Sequence, residues 1–182
     1  MDNTEVATGV TSTSYTQNGL SAGTTYAFKV RARNAVGLSS YSQVISIVAA
    51  TIPSKPNAPT TSVIDEYQIS VTWNLPIDQG GLDITGYKVE IKTATGTFAK
   101  DLTDCDAEND ATVISARSCT VRVDETLRVS PFELQDSAAV IARVIAINNI
   151  GESIVSDEGN GAIMPIADVV PDPPIAFARN EG

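Results

Sequence analysis

The chain has 182 residues, 42% hydrophobic and 19% charged, a globular composition that excludes a disordered tail and a membrane-spanning bundle. Its net charge of −10 argues against a phosphate-backbone partner and favours solubility, with cations as possible company. No histidine is present, which removes Ser-His-Asp and Cys-His catalysis and every histidine-ligated metal; the two cysteines, Cys105 and Cys119, are too few for a thiolate metal site and are not spaced as CxxC.

In chain order, the opening "MDNTEVATGV" lacks the basic and apolar regions of a secretory leader, so an exported parent would carry its leader elsewhere. Period-two alternation then dominates, and helical periodicity is nearly absent. In "YAFKVRAR", Tyr26, Phe28, Val30 and Ala32 share one face, and Ala27, Lys29, Arg31 and Arg33 the other. "IPSKPNAP", with Pro53, Pro56 and Pro59, predicts a stiff linker running into an edge strand. In "QISVTWN", Ile69, Val71 and Trp73 oppose Gln68, Ser70, Thr72 and Asn74; in "YKVEIK", Tyr87, Val89 and Ile91 oppose Lys88, Glu90 and Lys92. The run "AAVIARVIAI" is too short and too charged to span a bilayer. "PIADVVPDPP" reads as a second linker. One dry and one wet face per strand predict an all-β fold of antiparallel sheets packed as a sandwich.

The stretch "RARNAVGLSSYS" has a counterpart in "IAINNIGESIVS". Aligning Tyr26 with Val140 places Asn34 on Asn148, Gly37 on Gly151, Ser39 on Ser153 and Ser42 on Ser156. Such internal repetition predicts similar units in tandem. The segment "LSAGTTYAFKVRARNAVGLSSYS" resembles the E–F loop, F strand and F–G loop of a fibronectin type III domain. Leu20, Gly23, Thr24 and Tyr26 match its L-x-P-G-T-x-Y pattern, with Ala22 in place of the proline. Trp73 resembles the strand B tryptophan, Tyr87 the strand C aromatic, and "PSKPNAP" and "PDPPIAFA" the proline-rich approach to strand A.

The resemblance implies immunoglobulin-like sandwiches in tandem, with the first one incomplete. Residues 1–51 would be the C-terminal part of one domain (strands from about C′ or E to G). Residues 52–165 would be a complete domain with an insertion at about 99–136, and 166–182 a linker and the possible start of a third. Tyr26, Trp73 and Tyr87 are the expected core markers. Val140 stands where the corner tyrosine belongs, so the second unit is expected to close its E–F corner without that hydroxyl.

Cys105 and Cys119 fall inside the extra segment. As a disulfide they would close a loop of about 15 residues and contribute about 3 kcal/mol; the alternative is two reduced thiols in a cytosolic protein. In "DLTDCDAEND", Asp104, Asp106, Glu108 and Asp110 are spaced like calcium ligands, but no glycine follows at the sharp turn and Ser115 replaces the closing glutamate, so a solvated acidic loop is expected. Lys29, Arg31 and Arg33 form a basic stripe that could meet an acidic partner or remain solvated strand decoration. If Val140, Ala142, Val144 and Ala146 face the core, Ile141, Ile145 and Ile147 point outward and need a cover. The extra segment, with Val113, Ile114, Leu127, Val129, Phe132 and Leu134, is the expected cover, and a partner is the alternative.

No nucleophile with a base and no acid–base pair can be named, so no enzyme is expected, and no cofactor or metal site. The expected function is a non-enzymatic structural, adhesion or interaction unit of a larger extracellular or cell-surface protein, with the F–G loops 34–42 and 148–156 as exposed contact sites. Alternatives are an intracellular cytoskeletal or ciliary scaffold repeat and an accessory unit of a secreted carbohydrate-active enzyme. Protein partners are expected, without nucleic acid or membrane insertion. Residues 1–51, lacking strands A to C, are expected either to self-associate or to be poorly ordered; the alternative is a compact half-domain folded back on the second.

Overall fold

The computed structural model describes residues 4–166 of the chain. The proposed start of a third domain lies outside these residues. The first unit is a hairpin: β1 (Thr25–Phe28) pairs antiparallel with β2 (Ile45–Val48). The register sets Tyr26 opposite Ile47 and Phe28 opposite Ile45, so all four apolar side chains share one face. Among the described residues no second layer covers that face. Tyr26 and Phe28 are half-buried, and Val30, Ile45 and Ile47 are exposed. Tyr26 is therefore not a core residue here, because a two-stranded sheet offers it nothing to be buried against. Its hydroxyl instead accepts from the Ser21 N–H at 3.0 Å and fixes the corner leading into β1.

The second unit is a complete sandwich. One layer has the order β3-β4-β7, with β3 Thr60–Val63, β4 Gln68–Thr72 and β7 Ser118–Arg122. The other has the order β10-β9-β5-β6, with β5 Ile84–Lys92, β6 Phe98–Lys100, β9 Ala142–Asn148 and β10 Gly151–Glu152. A third pairing, β8 (Ala139–Val140) with β11 (Ala162–Ile163), closes the C-terminal end. Pro53, Pro56 and Pro59 are buried along the approach to β3, an edge strand as expected.

Period two explains the core. Ile69, Val71, Trp73, Tyr87, Val89, Ile91, Val140, Ala142, Val144 and Ala146 are all buried. The Trp73 and Tyr87 rings meet edge-on with centroids 5.5 Å apart. At Val140, which has no hydroxyl, the corner keeps its backbone bonds: Ser137 N–H to the Met164 carbonyl, and Met164 N–H to the Ala138 carbonyl. In the first unit Gly23 N–H to Ala49 and Ala49 N–H to Thr24 make the same pair.

The segment 99–136 is not a detached excursion. It carries the rest of β6 and all of β7, followed by a π-helical turn, Val123–Leu127. Leu127, Phe132 and Leu134 join the core between the layers, and Val113 and Ile114 rest against it, while Val129 is exposed. The expectation that this segment covers the outward isoleucines is thereby corrected, since its large apolar side chains are used in the interior, where burial is most complete.

Candidate interaction surfaces and the interdomain joint

The two units meet at a joint built almost wholly from backbone. Thr51 N–H donates to the Gly80 carbonyl at 2.9 Å and Ser54 N–H to the Asp78 carbonyl at 2.8 Å. Asp78 N–H donates back to the Ser54 hydroxyl at 3.1 Å. Such approach requires glycine. A Cβ on Gly80 would lie 2.1 Å from the Thr51 carbonyl oxygen, and one on Gly81 would lie 2.1 Å from the Gly23 amide nitrogen; both residues also have positive φ (+76° and +82°).

Asn148 is the hub. It is 3% exposed, and its amide donates to the Thr51 carbonyl (2.8 Å) and the Gln79 carbonyl (2.9 Å). Its oxygen accepts from Ile150 N–H (2.9 Å) and Gly151 N–H (3.2 Å). Both donors and both acceptor sites of one carboxamide are thus used to join the linker, the loop before β5 and the turn after β9.

The turn itself is duplicated bond for bond. In the second unit Ala146 and Val144 donate to the hydroxyls of Ser153 and Ser156, and those serines' N–H groups return to the same two residues' carbonyls. In the first unit Ala32 and Val30 donate to Ser39 and Ser42 in the same way, and Asn34 accepts from Val36 and Gly37. The aligned Asn, Gly and Ser positions therefore have a physical reason: serine hydroxyls stand in for ladder acceptors where the strand peels away. Loop 34–42 is exposed throughout; in the second loop Asn148, Ser153 and Ser156 are buried, while Asn149, Ile150, Glu152 and Ile154 remain exposed.

The outer face of the four-stranded layer carries Ile141, Ile145 and Ile147, all half-buried. Lys88 lies opposite Ile145, and Glu152 opposite Ile147. The Lys88–Glu152 ion pair (2.5 Å) must cross β9 between them, over the isoleucines. Lys92–Glu158 (3.1 Å) and Arg143–Glu90 (2.6 Å) extend the lattice, and the Arg143 guanidinium stacks 3.9 Å from the Phe98 ring centroid. Aliphatic stems of charged residues thus provide the cover expected of a separate segment. In the first unit Lys29 and Arg31 sit 4.2 and 5.0 Å from the Tyr41 centroid, and Arg31 pairs with Glu5 at 3.7 Å. Arg33 bridges to Leu38 through the backbone.

Cys105 and Cys119 form a disulfide with a Cα–Cα distance of 5.2 Å. The acidic run is used locally. Asp101 accepts from Thr103 and Asp104 N–H, and Asp106 from Glu108 and Asn109 N–H. Asp110 caps the helix α1 (Ala111–Ala116), and Glu108 pairs with Lys100. Among the described residues no three acidic, cysteine or histidine side chains converge on a metal position.

Asp104 binds the Arg122 guanidinium at 2.9 Å and accepts from Arg122 N–H and the Thr126 hydroxyl at 3.2 and 2.7 Å. Burial pushes its carboxyl up, but the Arg122 and Thr126 hydrogen bonds outweigh it and hold the pKa below the ordinary aspartate range. A depressed folded pKa stabilises above the unfolded value and is lost as pH falls through the folded value. Wild type is therefore expected to lose stability below about pH 4 more steeply than Asp104→Asn, which should be less stable at neutral pH. Urea midpoints for both proteins at neutral and acid pH check this; parallel profiles would contradict it.

A model of the fibronectin type III domain matches residues 1–48. Human myomesin-2 is 40% identical over 77 residues, covering 40% of this chain and 5% of that protein. Exoglucanase B of Cellulomonas fimi is 33% identical over 87 residues, covering 43% of this chain and 8% of that protein. The chain thus spans a small fraction of these relatives. A crystal structure of domains from titin superposes with a TM-score of 0.54 at 23% identity, covering 81% of this chain and 44% of that one, a likeness of fold. The protein has an all-β sandwich fold, and the stretch that matches a fibronectin type III domain is residues 1–48.

Proposed function

We propose that the chain is part of a tandem array of fibronectin type III units, the second bearing an insertion, and that it works without catalysis as a spacer that holds and presents interaction surfaces. The joint carries this reading: beyond its turn bonds, Asn148 reaches the Thr51 and Gln79 carbonyls, and Gly80 and Gly81 let the backbones of the two units touch. Asn148→Ala removes the carboxamide's bonds to the Thr51 and Gln79 carbonyls and to two turn N–H groups, at about 0.5–1.5 kcal/mol per bond. The variant is expected to keep its sandwich but lose amide protection at Thr51 and gain protease cleavage in residues 51–57. Unchanged protection and cleavage would overturn the reading.

The disulfide favours an oxidising compartment and hence an extracellular or cell-surface parent. Relatives named for muscle and for an exoglucanase belong to different settings, so the compartment reading rests on the cysteines. With the single tryptophan buried, an accessory carbohydrate-binding role has less support. Partners are proteins. In this polypeptide the face of Tyr26, Phe28, Ile45 and Ile47 takes its second layer from another copy, since each such side chain gains about 1.5–3 kcal/mol on burial. The 182-residue chain is expected to sediment as a concentration-dependent oligomer, and the double variant I45K/I47K as a monomer; a monomeric wild type would rule this out.

A further inference from the structure

We propose that Asn18 is a site of spontaneous deamidation and that Asn160, which shares its Asn-Gly sequence, is protected by the fold. The reaction needs the following amide nitrogen to reach Cγ of the asparagine. Glycine permits this because no Cβ hinders the approach and its backbone turns freely. The Gly19 nitrogen attacks Cγ of Asn18, the new bond closes a cyclic imide, and the Cγ–Nδ2 bond breaks with loss of ammonia. Water then opens the imide at either carbonyl, leaving aspartate or isoaspartate.

At Asn18 the fold offers little restraint. The residue is exposed, and Gly19 has φ +73° with no atom within 4 Å of a would-be Cβ. The contact made to Asn18 is at its backbone carbonyl, from Gln17 Nε2 at 2.9 Å, which leaves the carboxamide outside the bond. Asn160 is different although it too is solvent-accessible. Its Oδ1 accepts from Thr61 N–H at 2.7 Å and from the Thr61 hydroxyl at 3.2 Å, and its Nδ2 donates to the Thr61 carbonyl at 3.0 Å. Gly161 is crowded by Ile141 and Ala139 at 3.1 and 3.3 Å from the Cβ position. Imide closure there must first break the clasp between β3 and the last strand. The two asparagines therefore offer one chemistry in two states of restraint. An isoaspartate at 18 would lengthen the backbone just before Ser21, whose N–H holds the Tyr26 hydroxyl.

The test is peptide mass spectrometry of the 182-residue chain after incubation at mildly alkaline pH, folded and in denaturant. In the folded protein the peptide containing Asn18 is expected to convert to two isomeric acidic products while the Asn160 peptide stays amidated. In denaturant both should convert at similar rates, and Gly19→Ala should slow conversion at 18 alone. Equal conversion of both sites in the folded protein, or an Asn18 that stays amidated as long as Asn160, would overturn the proposal. Neither result bears on the tandem-array reading, which does not use these residues.

Discussion

Phe132→Ala is expected to destabilise the sandwich by about 3–5 kcal/mol, a large share of a domain's total stability. Phe132 is 2% exposed and belongs to the same buried cluster as Leu127, Leu134 and Val140. Its backbone is tied on both sides, N–H to the Val129 carbonyl at 2.9 Å and carbonyl to Ala94 N–H at 2.8 Å. The segment therefore cannot collapse easily into the space the ring leaves, and the cavity cost adds to the lost transfer energy. Val129→Ala, three residues away but 45% exposed, should change stability by less than about 0.5 kcal/mol. Urea denaturation of the 182-residue chain, followed at buried Trp73, measures both. Equal and small effects would mean that the residues after β7 lie outside the core.

Removing the disulfide as the double variant C105A/C119A is expected to cost about 3 kcal/mol in the loop-entropy picture, for a sequence separation of 14. Both cysteines are buried, so truncation also loses packing. The bridge ties the acidic loop to β7 next to Asp104, whose partners Arg122 and Thr126 lie just beyond Cys119. Reducing the wild-type protein should reproduce most of the loss. A loss below about 1 kcal/mol would show that the Asp104–Arg122 contact and the helix cap hold the loop without the bridge.

The strand pattern of the sandwich was readable because one face of its central strands is dry. Alternation in "QISVTWN" and "YKVEIK" becomes the buried sets Ile69–Val71–Trp73 and Tyr87–Val89–Ile91. The spacing of Asn, Gly and Ser in the two repeats likewise anticipated a shared turn. Three features escaped. Strand β7 sits in a segment whose acidic run and short helix hide its alternation. The cover over Ile145 and Ile147 comes from the Lys88–Glu152 ion pair, whose partners are far apart in sequence, a tertiary fact that no local pattern carries. The role of Asn148 depends on carbonyls at Thr51 and Gln79, and backbone groups leave no signature in side-chain identity. A paired glycine just before a strand was the one available hint of close approach.

The fixed joint is the claim on which the spacer reading depends. Backbone residual dipolar couplings of the 182-residue chain, at a dilution where it is a single species, measure it directly. One alignment tensor is predicted to fit the β1–β2 hairpin and the sandwich strands together, with their orientation as described by the Thr51–Gly80 and Asn148 contacts. Two tensors of clearly different magnitude, one for residues 25–48 and one for 60–163, would contradict it.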